Sequence, residues 1–251
     1  FKYVKKKNMI FLSTPFSRLA VDRLVKFGVK AFKIGSGEMN NYPLLSYIIK
    51  FNKPLIISTG MHTLSNVKKL VSFLKNKCQF ALMHTTNLYP TPNNLVRLNS
   101  ILELKKTFSK INVGSSDHSK TNHSSFGAIA LGASIIEKHF VDKKTRSGPD
   151  IEASIDEKEL KELINGCNIL FKQRKGNKNS LREEQVTRNF AFASVVSIRN
   201  IKKGEKLNYK NIWVKRPGNG DFKAREITKL IGRKAKKYIK NNFQIKKNDI
   251  I

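Results

Sequence analysis

The chain has 251 residues, of which 39% are hydrophobic and 27% charged, a composition typical of a folded protein. Lys and Arg outnumber Asp and Glu by 49 to 18, for a formal charge of +31. These charges are spread along the chain without a nucleic-acid-binding motif, so we expect no nucleic-acid partner. We find no apolar run of 18 residues and no leader pattern, and the two cysteines lack disulfide or metal spacing. We therefore expect a cytoplasmic protein without a membrane partner.

Short apolar strands alternate with amphipathic helical stretches as far as residue 171. The predicted strands are 9–14, 31–35, 54–58, 80–84, 111–116 and 134–139. The predicted helices are 17–27, 41–51, 64–76, 97–108, 122–132 and 156–172. Ser, Thr and Asn near the helix starts are expected to act as N-caps. This alternation is typical of repeated βα units around a parallel sheet.

Polar side chains cluster where the predicted strands end. A (β/α)8 TIM barrel gathers such positions onto one face, whereas a doubly wound sheet concentrates them at a switch point. No dinucleotide-binding glycine motif follows a strand, so we predict an α/β fold of the barrel type. Because six strands are too few to close an eight-stranded barrel, we expect barrel strands 3 to 8 here and two further βα units before residue 1.

The βα alternation gives way to a polar, charged stretch after residue 171. We predict a barrel domain over residues 1–171, a linker over 172–188, and a small mixed domain over 189–251. Within this last domain, strands are expected in FAFASVVSI (190–198) and NIWVKRP (211–217).

Two of the five histidines are candidate metal ligands. His118 and His139 follow or end neighbouring predicted strands, so their rings should face the same barrel mouth. Neutral imidazoles are good ligands for a borderline divalent ion such as Mn²⁺ or Zn²⁺. The remaining ligands could come from Asp150, Glu137, water or substrate oxygens. We interpret His62 and His123 as structural.

A ring of donors at the strand ends suits phosphate and carboxylate oxygens. Its members are Thr14, Lys33, Ser36, Ser58, Asn87 and Ser116. Individually, the Ser and Thr residues could simply cap the helices that follow them, but six donors together favour a binding site. Asp150 lies in a loop with Arg146, Gly148 and Pro149, after the last predicted strand, where barrel loops commonly close over substrate.

Several segments resemble the N-acetylneuraminate (sialic acid) synthase family, in the same order along nearly the whole chain. They are FLSTPF (11–16), FKIGSGEMNNYPLL (32–45), ISTGM (57–61), HTTNLYPTP (84–92), GSSDHS (114–119), LGASIIEKHF (131–140), GPDIEAS (148–154) and VKRPGNGDF (214–222). The resemblance implies a TIM barrel followed by an antifreeze-like (SAF) domain, in a domain-swapped homodimer. It also implies a metal-dependent condensation of phosphoenolpyruvate with open-chain N-acetylmannosamine, which releases phosphate and gives N-acetylneuraminate.

The same resemblance implies roles for particular residues. His118 and His139 match metal ligands, with Mn²⁺ expected first and Mg²⁺ or Co²⁺ as alternatives. The six donors listed above match phosphoenolpyruvate contacts, while Asn87, Tyr89 and Asp150 match positions that face the amino sugar. Glu137 lies at the active centre, and we predict catalytic roles for Glu137 and Asp150. Arg216 matches the residue that reaches the partner subunit's sugar.

The sequence departs from the family pattern at its start and leaves two alternatives open. The family's first two βα units carry a Glu and a Lys of the site and are not in this sequence, so we expect the 251-residue chain alone to be inactive and poorly folded. One alternative is a synthase of a related nonulosonic acid, legionaminic or pseudaminic. The other is an inactive fragment that acts as a basic binding module.

Overall fold

The computed structural model describes all residues from 1 to 251, and the chain divides into two compact units, Phe1–Gly176 and Asn177–Ile251. Each unit has its own hydrophobic core. None of the helices combines the length and the apolar character needed to cross a membrane.

The first unit is built of βα repeats around one parallel sheet. Its strands are β1 (Phe32–Ile34), β2 (Leu55–Ser58), β3 (Phe80–Thr85), β4 (Asn112–Asp117) and β5 (Ile136–Lys138). They pair in chain order, and every pairing is parallel. The helices are α1 (Lys2–Lys6), α2 (Arg18–Lys26), α3 (Tyr42–Ile48), α4 (Leu64–Leu74), α5 (Asn99–Thr107), α6 (His123–Ala130) and α7 (Glu157–Gln173).

The sheet is strongly curled, as in a barrel. Lys33 of β1 and Glu137 of β5 belong to the two edge strands, yet the Lys33 Nζ lies 3.2 Å from the Glu137 Oε2. In a flat sheet, four strand spacings would separate these strands by about 19 Å. The contact therefore requires the sheet to close round its inner face, in agreement with the predicted TIM-type α/β fold.

The alternation of side chains along the strands separates the core from the inner face of the sheet. Phe32 and Ile34 of β1 are fully buried in a cluster that includes Val21 of α2 and Leu45 of α3. Lys33, between them in sequence, points to the opposite face because successive strand residues alternate. Burial of the apolar residues against the helices thus aims the polar residues at the interior.

Local capping explains where several helices begin. The Ser17 hydroxyl accepts from the backbone N–H of Ala20, the Asn41 side chain from that of Leu44, and Thr63 from Asn66. Helix α7 begins with a capping box between Asp156 and Glu159. The prediction that Ser, Thr and Asn act as N-caps is confirmed for α2, α3 and α4, whereas α5 and α6 begin without a side-chain cap.

The predicted strand over residues 9–14 is wrong. This segment lies beside β1 but makes a single backbone hydrogen bond to it, from the Lys33 N–H to the Ser13 carbonyl at 3.2 Å. Met9 and Ile10 are largely exposed. A strand requires a repeated ladder of such bonds, which one bond does not provide. The other five predicted strands and all six predicted helices are present, with shifts of a few residues at their ends.

The second unit contains helix α8 (Gln185–Ala191) and an antiparallel pair, β6 (Ser194–Ser197) and β7 (Ile212–Lys215). Its core is formed by nine buried residues that include Val195, Leu207, Ile212 and Ile245. The first part of the predicted strand 190–198 is the end of α8, so that strand begins later than predicted. The start of the predicted linker 172–188 is likewise the end of α7.

Candidate active site

A cavity of about 410 Å³ opens at the inner face of the curled sheet. It is lined by Leu12, Ser13, Thr14, Lys33, Ile56 and the segment 135–138, which includes β5. Three of the residues predicted to form the site, Thr14, Lys33 and Glu137, thus line one cavity. It lies between β1 and β5, and the curl of the sheet creates it.

A chain of polar contacts crosses this inner face. The Lys33 ammonium donates to the Ser58 hydroxyl at 2.8 Å and pairs with Glu137 at 3.2 Å. The Ser116 hydroxyl donates to the other oxygen of Glu137 at 3.2 Å. Because Ser58 accepts from Lys33, its own proton remains free to donate to an anion. The arrangement offers a cation, a free hydroxyl donor and a carboxylate within one small volume.

A second set of donors surrounds Gly60. The Gly60 N–H donates to the Ser36 hydroxyl at 3.0 Å, which leaves the hydroxyl proton free to donate elsewhere. The Asn87 Oδ1 is buried without a hydrogen-bond partner, and a Cβ added at Gly60 would lie 1.7 Å from it. Buried polar atoms normally have partners, so this Asn87 carboxamide is suited to a bound ligand or water.

His118 is held in one tautomer. Its Nδ1 lies 2.9 Å from the Thr86 carbonyl, which can only accept, so Nδ1 carries the proton and the lone pair belongs to Nε2. Burial lowers the pKa of His118 below the ordinary value, which keeps the imidazole neutral near pH 7. The Tyr89 ring stacks on the His118 ring with centroids 4.1 Å apart.

His139 completes a pair of imidazoles. The His118 and His139 ring centroids are 5.2 Å apart, and the His139 Nδ1 lies 3.9 Å from an Asp150 carboxylate oxygen. No group of three or more His, Cys, Asp or Glu side chains is arranged to hold a metal ion. Two neighbouring imidazoles, one of them fixed with a free Nε2 lone pair, nevertheless fit a divalent ion whose other positions are filled by water or substrate.

Tyr89 is a hydrogen-bond donor at this edge of the site. Burial, followed by the negative charge of Asp150, raises the pKa of the Tyr89 phenol above its ordinary value. The phenol therefore keeps its proton at neutral pH and can donate it in a hydrogen bond to a ligand oxygen.

The structure gathers most of the predicted site residues into two neighbouring groups of the first unit. One group holds Lys33, Ser58, Ser116 and Glu137, with Thr14 on the same cavity, and the other holds Tyr89, His118, His139 and Asp150. Ser36 and Asn87 meet at Gly60. None of the predicted donors caps an α-helix through its side chain, since Ser17, Asn41 and Thr63 do so instead. Arg216 lies in the second unit, directly after β7.

Three features of the site were not found by sequence reasoning. Gly60 makes room for Asn87, the Thr86 carbonyl selects the His118 tautomer, and Asp117 pairs with Lys138 behind the histidines. Gly60, Asp117 and Lys138 lie inside the quoted segments ISTGM, GSSDHS and LGASIIEKHF, respectively, which was the available signal. A backbone carbonyl leaves no signal in sequence.

Both parts of the chain are similar to known families and proteins. Residues 1–179 match the NeuB family, and residues 192–251 match the SAF domain. The N,N'-diacetyllegionaminic acid synthase of Campylobacter jejuni subsp. jejuni serotype O:2 is 41% identical over 249 residues, which cover 97% of this chain and 74% of that protein. The N-acetylneuraminate-9-phosphate synthase of Drosophila melanogaster is 30% identical over 275 residues, which cover 99% of this chain and 74% of that protein.

A solved structure agrees with these matches. The N-acetylneuraminic acid (sialic acid) synthetase of Leptospira borgpetersenii superposes with a TM-score of 0.71 at 32% identity, over 74% of this chain and 66% of that one. Family, relatives and fold all point to the synthases that the quoted motifs resemble. The inward-facing cluster and the histidine pair are therefore those of a chain that belongs to the NeuB family of sialic acid and related nonulosonic acid synthases and carries a SAF domain after it.

Proposed function

We propose that this protein condenses phosphoenolpyruvate with an N-acetylated hexosamine, releasing phosphate and giving a nonulosonic acid. The observation that carries the proposal is the placement of Lys33, Ser58, Ser116 and Glu137 on one inner face. This cluster matches the charge of phosphoenolpyruvate, because a trianion needs a cation and free hydroxyl donors in a confined volume.

Lys33 and the hydroxyls would bind the phosphate and carboxylate oxygens of phosphoenolpyruvate. The Lys33 side chain is 13% exposed, so its charge acts in a partly dehydrated place where attraction to an anion is stronger than in water. Ser36 and Ser58 each accept one hydrogen bond from the protein and keep a proton to donate. Thr14 adds a further hydroxyl at the cavity wall.

Glu137 is suited to the two steps that follow carbon–carbon bond formation. When the methylene carbon of phosphoenolpyruvate attacks the sugar aldehyde, positive charge develops at the carbon that bears the phosphate. A carboxylate stabilises that charge and can then accept a proton from the water that adds there. Phosphate leaves afterwards by cleavage of the carbon–oxygen bond. We propose that Asp150 and Tyr89 hold the sugar beside this centre.

We propose that His118 and His139 hold a divalent ion, Mn²⁺ first, with Mg²⁺ or Co²⁺ as alternatives. Such an ion would supply Lewis-acid polarisation of the sugar aldehyde. The protein's part is to present a neutral imidazole with its lone pair on Nε2, which the hydrogen bond from His118 to Thr86 supports.

The hexosamine is best assigned from the relatives. Identity of 41% to an N,N'-diacetyllegionaminic acid synthase favours a hexose with two acetylated amines. N-acetylmannosamine is the second candidate, supported by the 32% identity to the Leptospira sialic acid synthetase. We also propose a domain-swapped homodimer in which Arg216, within the SAF domain, reaches the partner's sugar.

Phosphate release from phosphoenolpyruvate, measured on the full-length protein with each hexosamine in the presence of Mn²⁺, tests the proposal. We expect release only when a hexosamine is present, faster with the diacetylated sugar, and strongly reduced in Lys33→Met. Turnover only with N-acetylmannosamine would transfer the assignment to the second candidate. A folded protein that releases no phosphate with any hexosamine, but binds nucleic acid in a salt-sensitive way, would instead be the basic binding module.

A further inference from the structure

A buried ion pair lies directly behind the two histidines and is not used in the proposed chemistry. Asp117 ends β4 and Lys138 ends β5, and the Lys138 Nζ lies 3.1 Å from the Asp117 Oδ2. Their side chains are 2% and 3% exposed, respectively. They are register partners, one step beyond Ser116 and Glu137, so they point away from the inner face.

Each charge is held by further hydrogen bonds. Asp117 accepts from the Ser119 N–H at 2.8 Å and from the Ser125 hydroxyl of α6 at 2.7 Å. The Lys138 ammonium donates to the Thr121 carbonyl at 3.2 Å and also to the Ser119 carbonyl. Lys138 of β5 therefore holds in place the loop that follows β4 and begins with His118.

The position of this pair links it to the histidines. His118 follows Asp117 and His139 follows Lys138, so the cross-strand pair fixes the two backbone points from which the imidazoles project. Removing two charges from water is costly, and apolar residues can often replace a buried ion pair without loss of stability. A conformational role is therefore a better explanation of this pair than a contribution to stability.

We propose that Asp117 and Lys138 are positioning residues, which set the spacing of His118 and His139 so that both rings can hold one divalent ion. The inference rests on the proposed function to the extent that these histidines are metal ligands. It adds a pair of residues behind the ligands that controls their geometry without contacting the ion.

The test uses the double variant Asp117→Asn/Lys138→Met, which removes both charges and leaves no unpaired one. The matched control is Glu157→Gln/Lys161→Met, which removes an exposed ion pair on α7 whose Nζ–Oε1 distance is 2.7 Å. Two quantities are measured: the Kd for Mn²⁺ alone by calorimetry, and, in metal-free protein, the NMR cross-peak between the Tyr89 and His118 rings together with the imidazole shifts of both histidines. Thermal unfolding shows that each variant is folded.

We expect the Mn²⁺ Kd to rise about tenfold or more in the double variant, as for other residues that support metal ligands, and the ring cross-peak to weaken. The control should match the unmodified protein. An unchanged Kd together with unchanged imidazole signals would overturn the inference. If the unmodified protein binds no Mn²⁺, the proposed metal site fails and the NMR signals alone decide: altered signals support the positioning role, and unaltered signals refute it.

A milder variant covers the case in which the double variant does not fold. Ser125→Ala removes only the hydrogen bond from α6 to Asp117 and keeps both charges. We expect a smaller rise in the Mn²⁺ Kd and a shift of the His118 imidazole signals. If both the Mn²⁺ Kd and the His118 imidazole signals stay unchanged, the inference is again overturned.

Discussion

Gly60→Ala should lower the activity of the protein without lowering the stability of its fold. A methyl group at this position would lie 1.7 Å from the Asn87 Oδ1 and 2.9 Å from the Ser36 Oγ. To reach an ordinary contact of about 3.5 Å, the Asn87 oxygen must move by roughly 1.8 Å. The clashing atom is at the end of the Asn87 side chain, which can rotate away. Gly60 does not have a positive φ, so its backbone can accept an alanine. The fold should therefore tolerate the change.

The displacement is large for a residue that positions substrate. Misplacement of about 1 Å can cost about 10²-fold in rate, so we expect kcat/KM to fall about 10²-fold, equal to ~2.7 kcal/mol. Phosphate release measures kcat/KM, calorimetry measures the Kd for phosphoenolpyruvate, and circular dichroism measures the Tm. Gly37→Ala is the matched control, because an added Cβ there has no neighbour within 4 Å.

If the kcat/KM of Gly60→Ala equals that of Gly37→Ala, Asn87 does not position the substrate. A large fall in Tm would show that the methyl group disturbs the fold instead of Asn87 alone. In that case the double variant Gly60→Ala/Asn87→Ala, which removes the clashing atom, should recover the Tm.

Lys33→Met should weaken phosphoenolpyruvate binding by about 10- to 100-fold, the worth of a charge-assisted hydrogen bond, whereas the exposed Lys30→Met should not, as measured by calorimetry. His118→Ala should weaken Mn²⁺ binding by about 100-fold or more, and unchanged affinity would exclude His118 as a ligand. Burial lowers the pKa of His84 in the folded chain. The unfolded chain therefore binds a proton on His84 at higher pH than the folded chain does. As a result, the free energy of unfolding should fall as the pH drops below the ordinary His pKa of about 6.5. His84→Gln should flatten that fall in urea denaturation between pH 7.5 and 5.5; an unchanged slope would contradict the assignment.

The order of the elements and the side of the sheet that carries the site can be predicted from the amino-acid sequence. Apolar periodicity is a local property, so five strands and six helices could be located from it. Parallel strands end on a common face, so Lys33, Ser58, Ser116 and Glu137 could be grouped before any distance was known. The strand predicted over residues 9–14 is wrong because an apolar pattern is a local property of the sequence, whereas a ladder of hydrogen bonds requires a neighbouring strand.

How these residues meet depends on the three-dimensional packing of the chain. The curl of the sheet brings Lys33 to Glu137 across three intervening strands. The carbonyl of Thr86 selects the tautomer of His118, 32 residues further along the chain. Asp117 and Lys138 become one buried pair only through the register of β4 and β5. Each contact joins residues that are distant in sequence, and its geometry depends on how the strands twist and pack.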